Sequence, residues 1–322
     1  MYGGWKYFKL DKRNWSTVKV NLILQIEEIK KQLEGKILYK ENLSKYSWFN
    51  LGGAASVVYK PKNLNELSVF LKNLKGFKKI HILGAGSNTL IRDGGFDGVV
   101  IKLGKSFSHL SQFKGNMIIA GASAYDKDVS RFAIENSLSG FEFLSCIPGT
   151  IGGAIKMNSG CYNNDISKII TSVQAMDLSG NVKIIYSSDL KFSYRNFDFD
   201  EQLIFISATF TGKKEKKSII EKKTNELIEK KKKDQPSKIK TCGSTFKNPK
   251  GKKAWLLIKN SGCAGINVGG AQISNKHCNF FVNNGKAKSQ DLEDLIHQVR
   301  SKVLMKTGIE LELELQIIGE SL

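Results

Sequence analysis

Two glycine-rich segments constrain the fold of this chain more than any other feature. They are Ile82–Gly95 (ILGAGSNTLIRDGG) and Ile147–Asn158 (IPGTIGGAIKMN). In the first, an apolar run enters a tight turn whose backbone N–H groups can bind phosphate oxygens, and glycine allows the required positive φ. In the second, a Pro-Gly turn precedes Gly152 and Gly153, which permit a flat ligand to approach the backbone closely. The pair suits a dinucleotide, although each segment alone is also typical of an ordinary turn or of sheet packing.

Hydrophobic periodicity predicts a βαβ pattern around the first segment. Apolar residues at helical spacing predict a helix over Val18–Glu34. Strands are predicted at Ser56–Tyr59, Ile80–Leu83 and Val99–Leu103, with a helix at Asn63–Leu74 between the first two. This alternation favours a mixed α and β fold.

The remainder predicts an antiparallel sheet, a charged helix and a last α+β part. Between residues 117 and 210, four strand-like runs surround one helix, Lys127–Ser137. The Lys-rich segment Gly212–Lys233 has one narrow apolar stripe, is expected to be a solvated connecting helix, and ends before Pro236. Beyond it, the predicted elements are helices at 254–261 and 289–307, the latter with Ser289 as N-cap, and strands at 271–273, 279–283 and 309–318.

Composition restricts the class of protein. Of the 322 residues, 41% are hydrophobic and 25% are charged, which excludes a largely disordered chain. No apolar run approaches the length of a membrane span, and the N-terminus has no apolar signal-peptide core. Five cysteines without a C-x-x-C pair support neither a disulfide framework nor a zinc site, and the four histidines show no metal spacing. We therefore expect a cytoplasmic protein with reduced thiols, no bound metal and no membrane association.

The net charge of +20 has three interpretations: a solvated surface, attraction of an anionic small molecule, or nucleic-acid binding. Of the 50 basic residues, 45 are Lys, whereas sequence-specific readers of nucleic acid depend on Arg. A solvated surface is therefore favoured, and no nucleic-acid partner is expected. Arg195 is one of only five Arg residues, which favours a role that needs the planar guanidinium, such as two-point binding of a carboxylate.

Two further segments carry candidate polar groups. Ser244 lies in CGSTFKNP, where it is either a turn residue or a proton donor. Glu310, Glu312 and Glu314 alternate in ELELE and are predicted to share one face of a strand, which is either an exposed polar face or part of a site. A segment that resembles a P-loop, Gly98–Ser106, has five residues between its glycines instead of four, so an ATPase or GTPase is not indicated.

Together these segments resemble one enzyme family. The blocks WFNLGGAA, ILGAGSNTLIRDGGFDGVVI, GFEFLSCIPGTIGGAIKMNSGCY, SYRN, CGSTFKNP, NVGGAQISNKHCNFFVN and LELELQIIGE are similar, in order and spacing, to the UDP-N-acetylenolpyruvoylglucosamine reductases. The likeness covers about residues 42–320. The short sequence after Arg195 resembles the type that lacks an inserted tyrosine-bearing loop. Cys161, Cys242 and Cys278 stand where the family usually has other small residues.

The resemblance implies an α+β fold. It consists of the FAD-binding fold of the vanillyl-alcohol oxidase type, with two FAD-binding subdomains, followed by an α+β substrate-binding domain. The expected division is an N-terminal extension and helix (1–41), FAD-binding subdomain 1 (42–103), FAD-binding subdomain 2 (104–211), the Lys-rich connecting helix (212–234) and the substrate-binding domain (235–322), whose last strand returns to the active site.

The resemblance also implies the cofactors FAD and NADPH, and it assigns site residues. FAD would lie along Asn50, Gly52, Gly53, Gly84, Gly86, Ser87, Asn88, Leu90, Pro148, Gly149, Thr150, Gly152, Gly153 and Asn158. Ser244 would be the proton donor, and Arg195 and Glu314 would stabilise an enol-type intermediate. Tyr194, Lys247, Asn248 and Gln272 fall where substrate contacts are expected.

The implied reaction is the reduction of UDP-N-acetylglucosamine enolpyruvate to UDP-N-acetylmuramate in peptidoglycan precursor synthesis, by a protein expected to be a monomer. Two alternatives stay open at this point. A flavin oxidase or dehydrogenase of the same fold would keep both glycine-rich loops but would not require GSTFKNP or the C-terminal Glu. A Lys-rich nucleic-acid-binding protein would be colourless, and its binding would depend steeply on salt.

Overall fold

The computed structural model describes residues 17–74, 77, 79–199 and 201–322, so residues 1–16 of the predicted N-terminal extension lie outside it. The α-helices are α1 (Thr17–Ile29), α2 (Leu64–Asn73), α3 (Asp126–Glu135), α4 (Ile151–Lys156), α5 (Lys217–Asp234), α6 (Ala254–Asn260) and α7 (Ser289–Thr307). The strands are β1 (Lys36–Asn42), β2 (Ala54–Lys60), β3 (Ile80–Ile82), β4 (Thr89–Ile91), β5 (Phe96–Ile101), β6 (Leu110–Phe113), β7 (Met117–Gly121), β8 (Leu138–Ser139), β9 (Gly160–Cys161), β10 (Asn164–Asp165), β11 (Ile170–Asp177), β12 (Val182–Tyr186), β13 (Lys191–Ser193), β14 (Asn196–Asp198), β15 (Leu203–Thr211), β16 (Lys213–Lys214), β17 (Asn267–Val268), β18 (Ala271–Ile273), β19 (Phe281–Asn283) and β20 (Gln316–Ile318). Within these ranges, no helix combines the length and the apolar character needed to cross a membrane.

The first sheet has the strand order β1-β2-β5-β3. Strand β5 runs parallel to both β2 and β3, and α2 connects those two strands, which confirms the predicted βαβ pattern. The ring of Phe70 on α2 stacks on Tyr59 of β2 with centroids 3.9 Å apart, and both side chains are fully buried. Helix α1 adds Ile26 to the same core. It ends at Ile29, earlier than predicted, and a 3₁₀ turn, Lys30–Gln32, follows.

The second sheet is antiparallel throughout, with the order β12-β11-β15-β7-β6. Val129 and Ala133 of α3 are buried in its core, as the sequence predicted for the helix in this region. Helix α4 was not predicted, because it contains two adjacent glycines, which are weak helix formers. Gly152 is needed there for close packing, since its N–H donates to the carbonyl of Ala122 at 2.8 Å and an added Cβ would lie 3.2 Å from the Ala122 Cβ.

The C-terminal part packs α6 and α7 with the small sheet β17-β18-β19. Its core includes Leu292, Leu295 and Val299 from one face of α7, together with Phe246 and Phe281. Helix α5 leads into this part and buries Ile220 and Thr224, whereas Ile219 of the predicted stripe is 38% exposed. It begins later than predicted because residues 213–214 form β16, which pairs with β8.

The predicted N-cap of α7 is wrong. Lys288 is the N-cap, and Ser289 is the first helical residue, whose hydroxyl donates to the carbonyl of Ile91 at 2.6 Å. The carboxylate of Asp93 instead accepts from the backbone N–H groups of Ser289 and Gln290, at 3.0 and 3.1 Å. The carboxylate at the helix N-terminus therefore comes from a distant part of the chain, the first glycine-rich segment, which no local pattern reveals.

The predicted final strand over Ile309–Ile318 is also wrong for most of its length. Only β20 forms, and it runs parallel to β4 beside the first glycine-rich loop. The residues before β20 bond to the loop that contains CGSTFKNP instead of to a neighbouring strand: the N–H of Glu314 donates to the carbonyl of Thr245, and the carbonyl of Glu312 accepts from the N–H of Lys247. Alternation of Leu and Glu therefore produced an extended segment that joins two parts of the fold.

Candidate active site

A cavity of about 1370 Å³ lies between the two glycine-rich loops and the C-terminal part. It exceeds the roughly 300–1,000 Å³ of typical small-molecule sites. Among the residues that the structure describes, the predicted ones that line it are Gly84, Gly86, Ser87, Asn88, Pro148, Gly149, Thr150, Gly152, Gly153, Arg195, Ser244 and Glu314. The structure thus brings both loops and all three proposed catalytic residues to one cavity.

The first loop is fixed by its glycine and by its asparagine. Gly86 has a φ of +69°, and a Cβ at this position would lie 1.8 Å from the carbonyl oxygen of Tyr46. Only glycine permits both the conformation and the approach. The side-chain amide of Asn88 donates to the backbone carbonyl of Glu314 at 2.9 Å. The backbone carbonyl of Asn88 accepts from the backbone N–H of Gln316 at 3.0 Å. The loop is therefore attached to the segment that carries Glu314.

The second loop meets the first and leaves open backbone on its cavity side. A Cβ added to Gly84 would lie 2.7 Å from the hydroxyl oxygen of Thr150. A Cβ added to Gly153 would find only that same oxygen, at 3.7 Å, and a Cβ at Gly243 would find nothing within 4 Å. The backbone at Gly153 and Gly243 therefore forms an open concave surface that larger residues would occupy, and the hydroxyl of Thr150 lies beside it. The residues present therefore fit FAD, whose flat ring and phosphates need such a surface.

Arg195 lies in the turn between β13 and β14 and is held by the chain around it. Its Nε donates to a carboxylate oxygen of Glu314 at 2.9 Å, and its Nη2 donates to the carbonyl of Gly160 at 2.5 Å. The residue has a φ of +55°, a strained conformation for a side chain of this size. Strain at a cavity-lining residue is typical of functional positions, where surrounding contacts hold the side chain in place.

Glu314 differs from its two neighbours in the ELELE segment. The side chains of Glu310 and Glu312 are 68% and 77% exposed and pair with Arg300 and Lys247, whereas that of Glu314 is 19% exposed. The three therefore do not share one exposed face. Burial raises the pKa of Glu314, and the positive charges of Arg195 and Lys247 oppose this only in part. A buried carboxyl group with a shifted pKa beside a cation is typical of a functional site.

Ser244 follows Gly243, which has a φ of +79°, and forms a bridge with Phe280. The next residue, Thr245, accepts backbone hydrogen bonds from Glu314 and Leu315 at 2.9 and 3.2 Å. Ser244 and Glu314 are therefore placed side by side through their backbones, and both line the cavity.

The predicted substrate contacts are placed less uniformly. The ring of Tyr194 lies 5.2 Å from the guanidinium of Arg195, and its hydroxyl accepts from the amide of Asn248 at 3.5 Å. The ammonium of Lys247 lies 3.4 Å from Glu312. Gln272 is in the middle of β18 and does not line the cavity described above. These four positions stay predictions.

Five predicted FAD residues also lie outside the lining of this cavity. Asn50 lines a smaller neighbouring cavity, and Gly52 and Gly53 pack tightly against Ile91 and the carbonyl of Asp93. Leu90 is fully buried in the C-terminal core. Asn158 donates to the carbonyl of Ser193, and so holds the hairpin that carries Arg195.

The sequence did not single out several residues that line the cavity. The ammonium of Lys102 donates to the carbonyl of Gly84 at 2.6 Å, and burial lowers the pKa of this lysine. Asp126 is fully buried, neither of its carboxylate oxygens has a hydrogen-bond partner among the described residues, and burial raises its pKa. Cys146 and Lys231 line the cavity together. The position of Cys146, directly before Ile147-Pro148, was a usable signal, whereas a single lysine among 45 was not.

Comparison with known proteins agrees with this geometry. Residues 55–185 match a family described as an FAD binding domain, and residues 235–318 match the C-terminal domain of UDP-N-acetylenolpyruvoylglucosamine reductase. These matches confirm the expected α+β, FAD-binding fold followed by a reductase domain.

Whole-chain relatives carry the same name. The chain is 51% identical over 301 residues to the UDP-N-acetylenolpyruvoylglucosamine reductase of Pelagibacter ubique, covering 92% of this chain and 100% of the relative. It is 45% identical over 287 residues to that of Orientia tsutsugamushi (strain Ikeda), covering 88% and 95%. The crystal structure of UDP-N-acetylenolpyruvylglucosamine reductase (MurB) from Thermus caldophilus aligns with a TM-score of 0.77 at 28% identity, covering 89% of this chain and all of that one.

Proposed function

The chain belongs to the UDP-N-acetylenolpyruvoylglucosamine reductase family, and we propose that it catalyses the NADPH-dependent, FAD-mediated reduction of UDP-N-acetylglucosamine enolpyruvate to UDP-N-acetylmuramate in peptidoglycan precursor synthesis. One observation supports this most directly. The Arg195–Glu314 pair and Ser244 line the cavity that both glycine-rich loops form. The chemistry supplied by bound FAD is acceptance of hydride from NADPH and its delivery to C3 of the enolpyruvyl ether.

Arg195 is proposed to bind the substrate carboxylate. Its guanidinium is already oriented by Glu314 and by the carbonyl of Gly160, so little reorganisation is needed when a carboxylate arrives. Negative charge develops toward C2 and the carboxylate during hydride addition, and a fixed cation beside them stabilises that charge.

Ser244 is proposed to donate the proton that C2 requires, and Glu314 to support the enol-type intermediate. A serine hydroxyl is a weak acid, so it depends on nearby positive charge, and Lys247 lies three residues farther along the same loop. Burial raises the pKa of Glu314, which makes its carboxyl group easier to protonate when negative charge develops beside it.

We further propose that the protein acts as a cytoplasmic monomer, with Tyr194, Lys247, Asn248 and Gln272 contacting the substrate. The domain boundaries near residues 103, 211 and 234 are part of the same proposal. Largely separate hydrophobic cores support them: one fills the antiparallel sheet, and another fills the part that contains α6 and α7.

A flavin spectrum and two half-reactions test the proposed function. The purified protein should be yellow, or become so with added FAD, and should release flavin on denaturation. NADPH should bleach the flavin without the enolpyruvyl substrate, and that substrate should then restore the colour. A colourless protein that does not bind FAD refutes the proposal. Bleached flavin that is restored by dioxygen but not by the enolpyruvyl substrate points instead to a different flavin enzyme of the same fold.

A further inference from the structure

Three of the five cysteines line the cavity at positions that the proposed reaction does not use, and two of them, Cys146 and Cys161, lie on neighbouring segments. Cys146 ends the 3₁₀ turn Glu142–Cys146, directly before the second glycine-rich loop, and Cys161 is in β9. Both are free thiols that line the cavity. Cys146 is 6% exposed, and Cys161 is half-buried. The pair is therefore within reach of a small solute in the cavity.

The two thiols lie on segments that pack against each other. Strand β9 contacts the 3₁₀ turn that ends at Cys146. The Cys161 Sγ donates to the carbonyl of Phe143 in that turn at 3.4 Å, and the hydroxyl of Ser145 lies 3.6 Å from the Cys146 Sγ. Two thiols on short segments that pack in this way can form a disulfide with little backbone movement.

The surroundings make the two thiols unequal. The neighbouring Cys161, the hydroxyl of Ser145 and the charge of Lys231 lower the pKa of Cys146, against the opposing effect of burial. The ammonium of Lys231 is held at this place because it donates to the carbonyl of Cys146 at 2.6 Å. The neighbouring Cys146 and burial raise the pKa of Cys161. Cys146 is therefore the nucleophile of the pair, and Cys161 keeps its proton.

The other three cysteines provide an internal contrast. Cys242, Cys263 and Cys278 are 3%, 0% and 3% exposed, in the C-terminal core. Cys242 also lines the cavity, but its Sγ contacts the backbone carbonyls of Gly86 and Thr89, both at 3.6 Å. Burial raises the pKa of all three, that of Cys242 to about 12. Buried thiols with raised pKa values are inert, so an oxidant that enters the cavity should oxidise Cys146 and Cys161 faster than the other three cysteines.

We propose that Cys146 and Cys161 form a site that a hydroperoxide oxidises reversibly to a disulfide. The Cys146 thiolate attacks one peroxide oxygen, the O–O bond breaks, and hydroxide leaves and takes a proton, which gives a sulfenic acid. The Cys161 sulfur then attacks the Cys146 sulfur, an S–S bond forms, and water leaves with the thiol proton. The dithiol loses two electrons, and one hydrogen peroxide becomes two waters.

The position of this bond gives it a consequence for the cavity. It would tie the residue before the second glycine-rich loop to the residue after Gly160, whose carbonyl orients Arg195. The proposal concerns a modification chemistry that is separate from the proposed reductase reaction, so it can fail or succeed independently.

The test uses the purified full-length protein, as isolated, with hydrogen peroxide at pH 7. After timed exposure, remaining thiols are alkylated and the peptides are identified by mass spectrometry. We expect one intramolecular Cys146–Cys161 disulfide, loss of two of the five thiols, and full recovery with dithiothreitol. Oxidation of the three core cysteines should be at least about tenfold slower. Comparable oxidation of all five, or no disulfide between these two, overturns the proposal.

Two variants separate the roles of the thiols. In Cys161→Ala, dimedone should trap a sulfenic acid on Cys146, whereas in Cys146→Ala, Cys161 should react at least about tenfold more slowly than Cys146 does in the parent. Cys263→Ala is the matched control and should oxidise like the parent. Oxidation should reach half of its maximal rate at a lower pH for Cys146 in Cys161→Ala than for Cys161 in Cys146→Ala, because the charge of Lys231 favours the Cys146 thiolate. The reverse order of the two midpoints overturns the assignment of Cys146 as the attacking thiol.

Discussion

Replacing Arg195 with lysine tests whether the site needs a guanidinium or only a positive charge. Arg195 uses separate nitrogen atoms for the carboxylate of Glu314 at 2.9 Å and for the carbonyl of Gly160 at 2.5 Å. A lysine ammonium is a single point on a flexible stem, so it cannot hold both partners and a substrate carboxylate in the same geometry. The positive φ at position 195 strains arginine and lysine equally, so backbone strain does not contribute to the difference between the two proteins.

The expected size of the effect follows from these contacts. Lysine keeps the charge and one of the two partners, so one charge-assisted hydrogen bond is lost. Such a bond contributes about 1.5–3 kcal/mol. At about 1.4 kcal/mol for each factor of ten, kcat/KM for the enolpyruvyl substrate should fall about 10- to 150-fold. Reduction of the flavin by NADPH does not involve the substrate carboxylate and should remain within about threefold of the parent rate.

Stopped-flow absorbance measures the two half-reactions separately, and FAD content and melting temperature confirm that the variant is folded. Arg131→Lys is the matched control, because the Arg131 side chain is 66% exposed and pairs only loosely with Asp128 at 3.4 Å. An Arg195→Lys enzyme within about twofold of the parent in kcat/KM would refute the argument and leave Arg195 a structural residue.

Three further results are expected. Ser244→Ala should leave flavin reduction by NADPH near normal but slow reoxidation by the enolpyruvyl substrate about 10²–10⁴-fold, because only reoxidation needs a proton from Ser244. If stopped-flow shows both steps slowed equally, Ser244 is not the proton donor. In Asp126→Asn, the melting temperature relative to the parent should rise between pH 5 and pH 8. Burial raises the pKa of Asp126, so the folded parent loses stability as pH rises above the ordinary value of 3.8, whereas Asn does not titrate. A difference in melting temperature that stays constant with pH contradicts this. Asp128→Asn, in the same helical turn, is the control. Asp93→Ala should lower the free energy of unfolding in urea by about 1–2 kcal/mol, because the first N–H groups of α7 lose the carboxylate that they bind. An unchanged urea midpoint of unfolding would show that water replaces the carboxylate.

The sequence by itself determined the local elements and the identity of the chemistry-bearing loops. Apolar spacing located α2, α3 and α7 to within a few residues, because each of these helices buries one face against a sheet or core and so must repeat at helical period. The loop around Gly86 could be identified from the sequence, because only glycine permits both its positive φ and its close approach to the carbonyl of Tyr46. Scarcity of Arg pointed to Arg195 for a similar reason, since a planar fork has no substitute in lysine.

Only the tertiary structure decided which polar groups meet. The sequence does not distinguish Glu314 from Glu310 and Glu312, yet only Glu314 is buried against Arg195, 119 residues away. This happens because the segment before β20 bonds to the loop that contains Thr245. The cap of α7 by Asp93 and the approach of Cys161 to the turn that ends at Cys146 also join distant parts of the chain. Hydrogen bonds and pKa shifts depend on distance and burial in space, and neither quantity is encoded in the spacing of residues along one segment.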